Sequence, residues 1–334
     1  MADLHHSVSE DSLSAPSQSI DGFIKHIDCP SGERQANPDT ELPPTSGQVS
    51  PGRSSAFPAA PTKFVEMGCR IGQESCGESP LFGSGDCLLI PTLRLLPQSM
   101  ADGPWNMAAD EVLLENAARL GIASLRFYTW SQPTLSLGYF QPAAVRAELA
   151  GLDSLAWVRR STGGAAIIHD QELTYALALP PGRDWHSVES WICRFHHLVA
   201  EVLTAVGLRA HVVVCGEEKK LGEVLCFLHQ TPGDLLIAGS KVAGSAQRKW
   251  KGAILQHGSL LLRASNLAPM LPGMNECSPD VALTSGELAN RLIERLRPAT
   301  GWNIENADWS DEDQHRIQAI RAEKYADPGW NEKR

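Results

Sequence analysis

The chain has 334 residues, a formal net charge of −10 and a mean hydropathy of −0.19, values typical of a soluble globular protein. No run approaches the ~18 consecutive apolar residues of a membrane-spanning helix, and the N-terminus lacks the basic and apolar segments of a signal peptide, so the expected compartment is the cytoplasm. An acidic balance without a Lys/Arg-rich stripe argues against nucleic-acid binding, and eight cysteines without a CxxC pair or a Cys-His cluster argue against a metal site.

Residues 1–86 differ in composition from the rest of the chain. They contain nine of the 22 prolines and none of the nine tryptophans, and their turn-forming stretches show no hydrophobic periodicity. A segment with so little to bury cannot offset the entropy lost on ordering. We therefore predict a mostly disordered N-terminal extension at 1–86 and one large folded domain at 87–334.

The folded region is predicted to begin with a strand at 87–96, CLLIPTLRLL, and a helix at 103–121 with Pro104 in its first turn and Gly121 as its cap. Two strands, SLRFYTW and PTLSLGYF, follow on either side of a Ser-Gln-Pro turn. A second helix is predicted from Ser187, and a short strand, HVVV, comes after it.

Four further strands are predicted in close succession: around Cys226, DLLIAG, KVAGSAQRKW and ILQHGSLLL. Two helices close the chain, SGELANRLIERLRPATG and SDEDQHRIQAIRAEKYA, the second with Ser310 as N-cap and Asp313 three residues on. The pattern predicts a sheet-rich centre between helices.

The stretch RRSTGGAAIIHDQELTY (159–175) is the first candidate site. Gly163 and Gly164 allow close approach of the backbone to a ligand, although a structural turn is the commoner use of such a pair. The pattern is not GxxxxGK[ST] and opens no predicted helix, which excludes a phosphate loop. His169 and Asp170 would suit a base and its carboxylate, but adjacent residues of a strand point to opposite faces, so this pairing is weakly supported.

A second candidate site lies at 239–262, where Lys241 begins a strand that continues through small residues. Small side chains leave room beside a strand for a ligand, while a solvated edge lysine is the commoner case. His257 interrupts an apolar run, as core histidines with satisfied hydrogen bonds often do.

Cys226 lies in GEVLCFLHQ, with apolar residues on both sides. Such a cysteine is more often buried and structural, and a nucleophile would need a neighbouring cation to favour the thiolate. Lys241 is the candidate cation if Cys226 and the segment DLLIAGSK form a hairpin.

Taken together, RRSTGGAAIIHD, GSKVAGSAQR and ILQHGSLLL resemble the biotin/lipoate protein ligase and octanoyltransferase superfamily. PWNMAADEVLL (104–114) is similar to the first helix of its lipoate-ligase branch, and AEKYADPGWN (322–331) to its domain-ending motif. The resemblance runs from about residue 88 to the C-terminus. It implies an α+β fold with a mixed or antiparallel central sheet flanked by helices, and it makes 87–334 the catalytic domain.

Two features favour the octanoyltransferases over the ATP-dependent ligases. HDQELTY (169–175) resembles the transferase form, and Cys226-Phe227 falls where those enzymes carry a nucleophilic Cys-Phe. The smaller C-terminal domain of many ligases is also not expected here. The resemblance implies a cofactor-free, metal-free acyltransferase that moves octanoate from acyl carrier protein to a lysine of a lipoyl domain, such as the H protein or a 2-oxoacid dehydrogenase subunit.

The resemblance also implies roles for individual residues. Cys226 would attack the donor thioester, and Lys241 would stabilise the thiolate. Two facing walls would hold the acyl chain, with His169 and His257 near them. The residues assigned to these walls are Arg160, Thr162, Gly163 and Gly164 on one side, and Gly244, Ser245 and Ala246 on the other. Ala165 departs from the pattern, because many ligases have a third glycine there and octanoyltransferases often have arginine.

Three alternatives stay open. An ATP-dependent lipoate ligase would use ATP and Mg²⁺, and Lys241 would contact its acyl-adenylate. An octanoyl amidotransferase would take its acyl group from another lipoyl domain. A non-catalytic lipoyl-domain or acyl binder would be consistent with the altered Ala165 and would form no acyl-Cys226 adduct.

Overall fold

The computed structural model describes residues 90–334 except 150, 153, 183, 184, 186, 187 and 223. The predicted extension at 1–86 and the first three residues of the predicted strand at 87–96 lie outside the described residues.

A nine-stranded mixed sheet forms the centre of the domain. Its order is β14-β1-β3-β7-β13-β12-β11-β8, and β2 also pairs with β3. The strands are β1 (Thr92–Leu95), β2 (Ser99–Ala101), β3 (Ala123–Trp130), β7 (Glu172–Leu179), β8 (Ala210–Val212), β11 (Leu235–Ile237), β12 (Ser240–Trp250), β13 (Ala253–Leu261) and β14 (Asn303–Asn306). Pairing is parallel where β1 meets β14 and β3, and antiparallel from β3 through β8.

Two smaller sheets accompany the central one. β4 (Thr134–Leu137) pairs parallel with β5 (Ala156–Arg159) and antiparallel with β6 (Ile167–His169), and β9 (Lys219–Lys220) pairs with β10 (His229–Gln230). The predicted Ser-Gln-Pro turn thus joins two strands of different sheets. The loop that follows β5 packs against the central sheet, where its Thr162 contacts His257 of β13.

Helices cover both faces of the central sheet. They are α1 (Gly103–Leu120), α2 (Trp191–Ala205), α3 (Met274–Cys277), α4 (Ser285–Thr300), α5 (Asp311–Ile320) and α6 (Pro328–Asn331). Buried residues of α1 and α5 share one hydrophobic cluster with one sheet face, and those of α2 and α4 share another with the opposite face. The α+β class with a mixed, helix-flanked sheet is confirmed.

The helix ends follow from their capping residues. Asp102 accepts a hydrogen bond at the start of α1, and Gly121 ends that helix with φ 71°. Ser310 and Asp313 form the predicted capping box of α5. The helix predicted from Ser187 begins only at residue 191, because Ser190 is its N-cap.

Two of the strand predictions are corrected. The segment around Cys226 is a 3-10 turn, Cys226–Leu228, and not a strand. Within the described part of the predicted strand, from residue 90 onwards, β1 begins at Thr92, directly after Pro91, which cannot donate a backbone hydrogen bond to a ladder. The predicted strands DLLIAG, KVAGSAQRKW and ILQHGSLLL are all present as β11, β12 and β13.

Candidate active site

A narrow cavity of about 50 Å³ lies between the central sheet and the loop that follows β5. Nine of the eleven residues predicted from the sequence line it: Arg160, Gly163, Gly164, His169, Cys226, Gly244, Ser245, Ala246 and His257. The other two lie directly behind the lining, since Thr162 bonds to His257 and Lys241 to Cys226. Apolar or aromatic side chains complete the wall, among them Met107, Trp130 and Ile167.

Cys226 is held at the cavity by pairing with the segment after the two glycines. Its backbone N–H donates to the Ala166 carbonyl at 2.8 Å, and Ala166 donates in turn to Val224 at 3.0 Å. Cys226 thus pairs with this segment and not in a hairpin with DLLIAGSK, the condition under which Lys241 was the candidate cation. Lys241 is nevertheless close to Cys226.

Lys241 is a buried cation beside the cysteine. Its Nζ lies 3.7 Å from Cys226 Sγ, 2.7 Å from an Asp234 carboxylate oxygen and 3.0 Å from the His229 carbonyl oxygen. Burial works to lower the pKa of the Lys241 ammonium, but the charges of Cys226 and Asp234 together raise this pKa above its ordinary value. Lys241 is thus an ammonium at neutral pH.

Asp234 was not found by sequence reasoning. It is 3% exposed, and its carboxylate accepts hydrogen bonds from the backbone N–H and the hydroxyl of Thr231. The turn sequence Thr-Pro-Gly-Asp before β11 is the local signal for an aspartate that bonds back to its own turn. Its pairing with Lys241 comes from the antiparallel pairing of β11 with β12, which this turn signal does not predict.

Gly244 makes room for the lysine side chain. A Cβ at this position would lie 2.7 Å from Lys241 Cε and 3.1 Å from its Nζ. Gly244 therefore leaves space for the Lys241 side chain as well as for the cavity.

The two adjacent arginines of the loop have different partners. Arg159 bonds through its Nε to the Asn331 carbonyl at 2.9 Å and through Nη1 to the carbonyls of Gly138 and Gln141, which ties the C-terminal segment to the loop. Arg160 lines the cavity, and its Nη2 donates to the carbonyls of Gly163 and Ala165.

Arg160 is fully buried, and burial lowers its pKa to about 10, which leaves it charged at neutral pH. Its hydrogen bonds to the loop carbonyls hold the loop in place. Within this loop Gly164 has φ +97°, a conformation that favours glycine.

His169 is oriented by Glu172 and not by its neighbour Asp170. The Nδ1 of His169 lies 2.7 Å from Glu172 Oε1, and its Nε2 lies 2.6 Å from the Ser136 hydroxyl. Asp170 bonds instead to Ser265 at 2.8 Å. Burial lowers the pKa of His169. Burial works to raise the pKa of Glu172, but its interaction with His169 and its hydrogen bonds from Thr174 and Ser259 lower this pKa below the ordinary value, so a neutral imidazole donates to a carboxylate.

His257 belongs to a second acid–histidine–hydroxyl array. Its Nδ1 lies 2.9 Å from Asp110 Oδ2, and its Nε2 lies 2.7 Å from Thr162 Oγ1. Asp110, in the middle of α1, was not found by sequence reasoning. It lies 147 residues from its histidine, and a lone aspartate in an apolar helix face is the only local signal.

Ser245 turns its hydroxyl away from the cavity. Its Oγ lies 2.7 Å from the Tyr175 hydroxyl and 2.8 Å from His196 Nε2. Tyr175 belongs to the hydrophobic cluster on the α2 and α4 side, and alternate residues of a strand face opposite sides of the sheet. Gly244 and Ala246 therefore present the cavity face of β12, and Ser245 adds only its backbone there.

The comparisons with known proteins agree with this architecture. Residues 102–276 match the lipoyl protein ligase A/B catalytic domain. The chain belongs to this family. It is 30% identical to octanoyltransferase LipM of Anoxybacillus flavithermus, with 72% of this chain and 98% of the relative aligned, and 31% identical to octanoyltransferase LipM of Bacillus subtilis, with 73% and 99% aligned. The bipartite lipoate protein ligase of Thermoplasma acidophilum shares the fold at a TM-score of 0.56 and 21% identity, with 73% of this chain and 96% of that one covered.

The superfamily predicted from the sequence is confirmed, and so is its octanoyltransferase branch, which makes the protein an acyltransferase. Among residues 90–334, apart from the few that are not described, no helix is long and apolar enough to cross a membrane. In the same part of the chain, no cluster of three or more acidic, histidine or cysteine side chains is arranged to hold a metal ion.

Proposed function

We propose that this protein transfers an octanoyl group from acyl carrier protein to the lysine ε-amine of a lipoyl domain, through a thioester on Cys226. The observation that carries the proposal is the buried Lys241 ammonium 3.7 Å from Cys226 Sγ, at the wall of a cavity with mostly apolar lining. The octanoyltransferase relatives support the acyl group and the lipoylation role.

In the first half-reaction, the Cys226 thiolate attacks the carbonyl carbon of the donor thioester. The tetrahedral adduct expels the carrier thiolate and leaves octanoyl-Cys226. An ammonium 3.7 Å from a thiolate stabilises it by about 4 kcal/mol at an effective dielectric constant near 20, before the cost of desolvation. Asp234 holds the ammonium at that position.

The mostly apolar lining between Gly163 and Ala246 suits contact with an unbranched alkyl chain. Each methylene transferred from water to an apolar wall contributes about 0.8 kcal/mol, so the six methylenes and the terminal methyl of an octanoyl group together contribute about 5 to 6 kcal/mol before entropy costs. Chain length is then selected without polar contacts along the chain.

In the second half-reaction, the acceptor amine attacks octanoyl-Cys226, and the amide forms as the cysteine thiolate leaves. We propose the lipoyl domains of the H protein or of 2-oxoacid dehydrogenase subunits as acceptors, a cytoplasmic location, and no cofactor. The free energy of the thioester drives amide formation, so no ATP is consumed.

The ATP-dependent ligase is the second candidate function. It assigns Lys241 to an acyl-adenylate and leaves Cys226 without a role. The contacts of Lys241 argue against the ligase, because its ammonium already contacts Cys226, Asp234 and the His229 carbonyl.

The test is incubation with octanoyl-acyl carrier protein in the absence of ATP, followed by intact-protein mass spectrometry. We expect an added octanoyl group on the wild-type protein and none on Cys226→Ser. A strict ATP requirement, or transfer by Cys226→Ser, contradicts the proposal, and an octanoyl-lipoyl domain as the better donor identifies an amidotransferase. Cys277→Ser is the matched control, because Cys277 is a free cysteine of similar exposure.

A further inference from the structure

The Cys226–Lys241 pair has no proton acceptor for the second half-reaction of the proposed function. Aminolysis must remove one proton from the attacking nitrogen. Lys241 is a poor acceptor, because Asp234, the His229 carbonyl and Cys226 surround its ammonium, and its pKa is raised. Another group at the cavity is needed.

Two histidines line the cavity, His169 and His257, and a third, His196, contacts the lining residue Ser245. His196 and His169 are poorly suited as acceptors. His196 lies on the far side of the sheet, where its Nδ1 bonds to the Gly233 carbonyl and its Nε2 to Ser245. His169 lines the cavity, but its Nε2 faces the Ser136 hydroxyl, which also accepts a hydrogen bond from Arg160 Nη1 at 2.6 Å. The guanidinium opposes a second positive charge at that place.

His257 differs from His196 by its place at the cavity, and from His169 by the hydroxyl at its Nε2, which is that of Thr162 and not the arginine-bonded Ser136. It lines the cavity, and its Nδ1 faces the Asp110 carboxylate at 2.9 Å. Arg126 and Tyr128 also donate to Asp110, at 2.9 and 3.1 Å, so the aspartate is an acceptor and His257 carries its proton on Nδ1. The lone pair of Nε2 is then free to accept, and at present it accepts from Thr162 at 2.7 Å.

We propose that His257, oriented by Asp110, is the general base of the second half-reaction. The acceptor lysine enters as a neutral amine, and its nitrogen lone pair forms the bond to the carbonyl carbon of octanoyl-Cys226. Nε2 of His257 exchanges its Thr162 partner for an N–H of that nitrogen and takes one proton from it. The C–S bond then breaks, the electron pair leaves with the Cys226 thiolate beside Lys241, and imidazolium later returns its proton to water.

The inference rests on the proposed function. The two are tested separately by measuring acylation of Cys226 first and then transfer of the acyl group to an added acceptor. Wild type, His257→Gln and Asp110→Asn are first acylated with octanoyl-N-acetylcysteamine, and the adduct is measured by intact mass. Each acyl-enzyme is then chased with a lipoyl domain, whose amine must lose a proton, or with N-acetylcysteamine, whose thiolate has none to lose. His211→Gln is the control, because His211 is exposed and pairs with Glu217 on the surface.

We expect all four proteins to be acylated and to return the acyl group to the thiol at equal rates. Transfer to the lipoyl domain should be about 100-fold slower in His257→Gln, in the range for loss of a general base, and slower in Asp110→Asn, but unchanged in His211→Gln. Equal slowing of amine and thiol, no slowing at all, or loss of acylation in both site variants would overturn the role of His257. Absence of acyl-Cys226 in wild type would overturn the proposed function as well.

Discussion

The ammonium of Lys241 lies between two acids, the half-buried Cys226 thiol at 3.7 Å and the buried Asp234 carboxylate at 2.7 Å. Asp234 offsets the lysine charge when the cysteine is acylated and no longer an anion. The Lys241–Asp234 pair is therefore neutral in the acyl-enzyme, where a Cys–Lys pair alone would leave a buried ammonium without a counter-charge.

Replacing Lys241 by methionine should abolish rapid acylation of Cys226. Loss of about 4 kcal/mol of thiolate stabilisation corresponds to a decrease of up to about a thousandfold. The variant should also lose about 3–5 kcal/mol of unfolding free energy, because Asp234 is left as an unpaired buried charge. The acylation rate is measured by intact mass and the stability by urea unfolding.

The double variant Asp234→Asn/Lys241→Met separates these two effects. Removing both charges should recover most of the lost stability, while acylation stays slow. Recovery of acylation in the double variant would show that Lys241 acts only through folding.

Gly244→Ala should slow acylation by displacing the lysine. The new Cβ would lie 2.7 Å from Lys241 Cε, a separation that the side chain can relieve only by moving. Gly286→Ala is the matched control, because its nearest neighbour would be Gln98 Oε1 at 4.0 Å. We expect octanoyl-Cys226 to form at least about tenfold more slowly in Gly244→Ala and at an unchanged rate in the control, as measured by intact mass. Equal rates for the two variants would contradict a fixed lysine position.

Stability should fall when the pH drops from 7.5 to 5.5. Burial lowers the pKa of His196 and of His169 below the ordinary value of 6.5. As the pH falls, these histidines are protonated in the unfolded chain before they are protonated in the folded protein. Their contribution to the free energy of unfolding is therefore fully present above pH 6.5 and is lost as the pH falls towards the lower pKa values of the folded state. Each histidine contributes a slope of up to about 1.4 kcal/mol per pH unit.

The measurement is urea unfolding of wild type and His196→Gln at several pH values. The variant should be less stable at pH 7.5 but should show a shallower pH slope between 7.5 and 5.5. Exposed carboxylates titrate below this window. Parallel slopes would contradict a neutral, buried His196.

Most of the fold and about half of the residues at the site can be predicted from the sequence, and the rest cannot, for identifiable physical reasons. Local signals such as Pro104 and Gly121 around α1 act within one helical turn, so they can be read without the tertiary structure. The turn at Cys226 was misread as a strand, because an apolar run has the same composition in a buried turn. Asp110 was missed because its partner His257 lies 147 residues away, and the pairing depends on how α1 packs on the sheet. Glu172 and Asp234 lie close in sequence to His169 and Lys241, but their contacts depend on the conformation of the turns between them.

The two adjacent arginines should respond differently to substitution by lysine. Arg159→Lys keeps the charge but cannot reach Asn331, Gly138 and Gln141 together, so it should lose about 2–4 kcal/mol of unfolding free energy. Amide hydrogen exchange should increase at residues 326–334, which depend on this contact. Arg160→Lys should leave exchange at 326–334 unchanged and instead slow octanoyl transfer, because its guanidinium holds the loop at the cavity. Equal exchange in the two variants would mean that Arg159 does not tie the C-terminal segment to the loop.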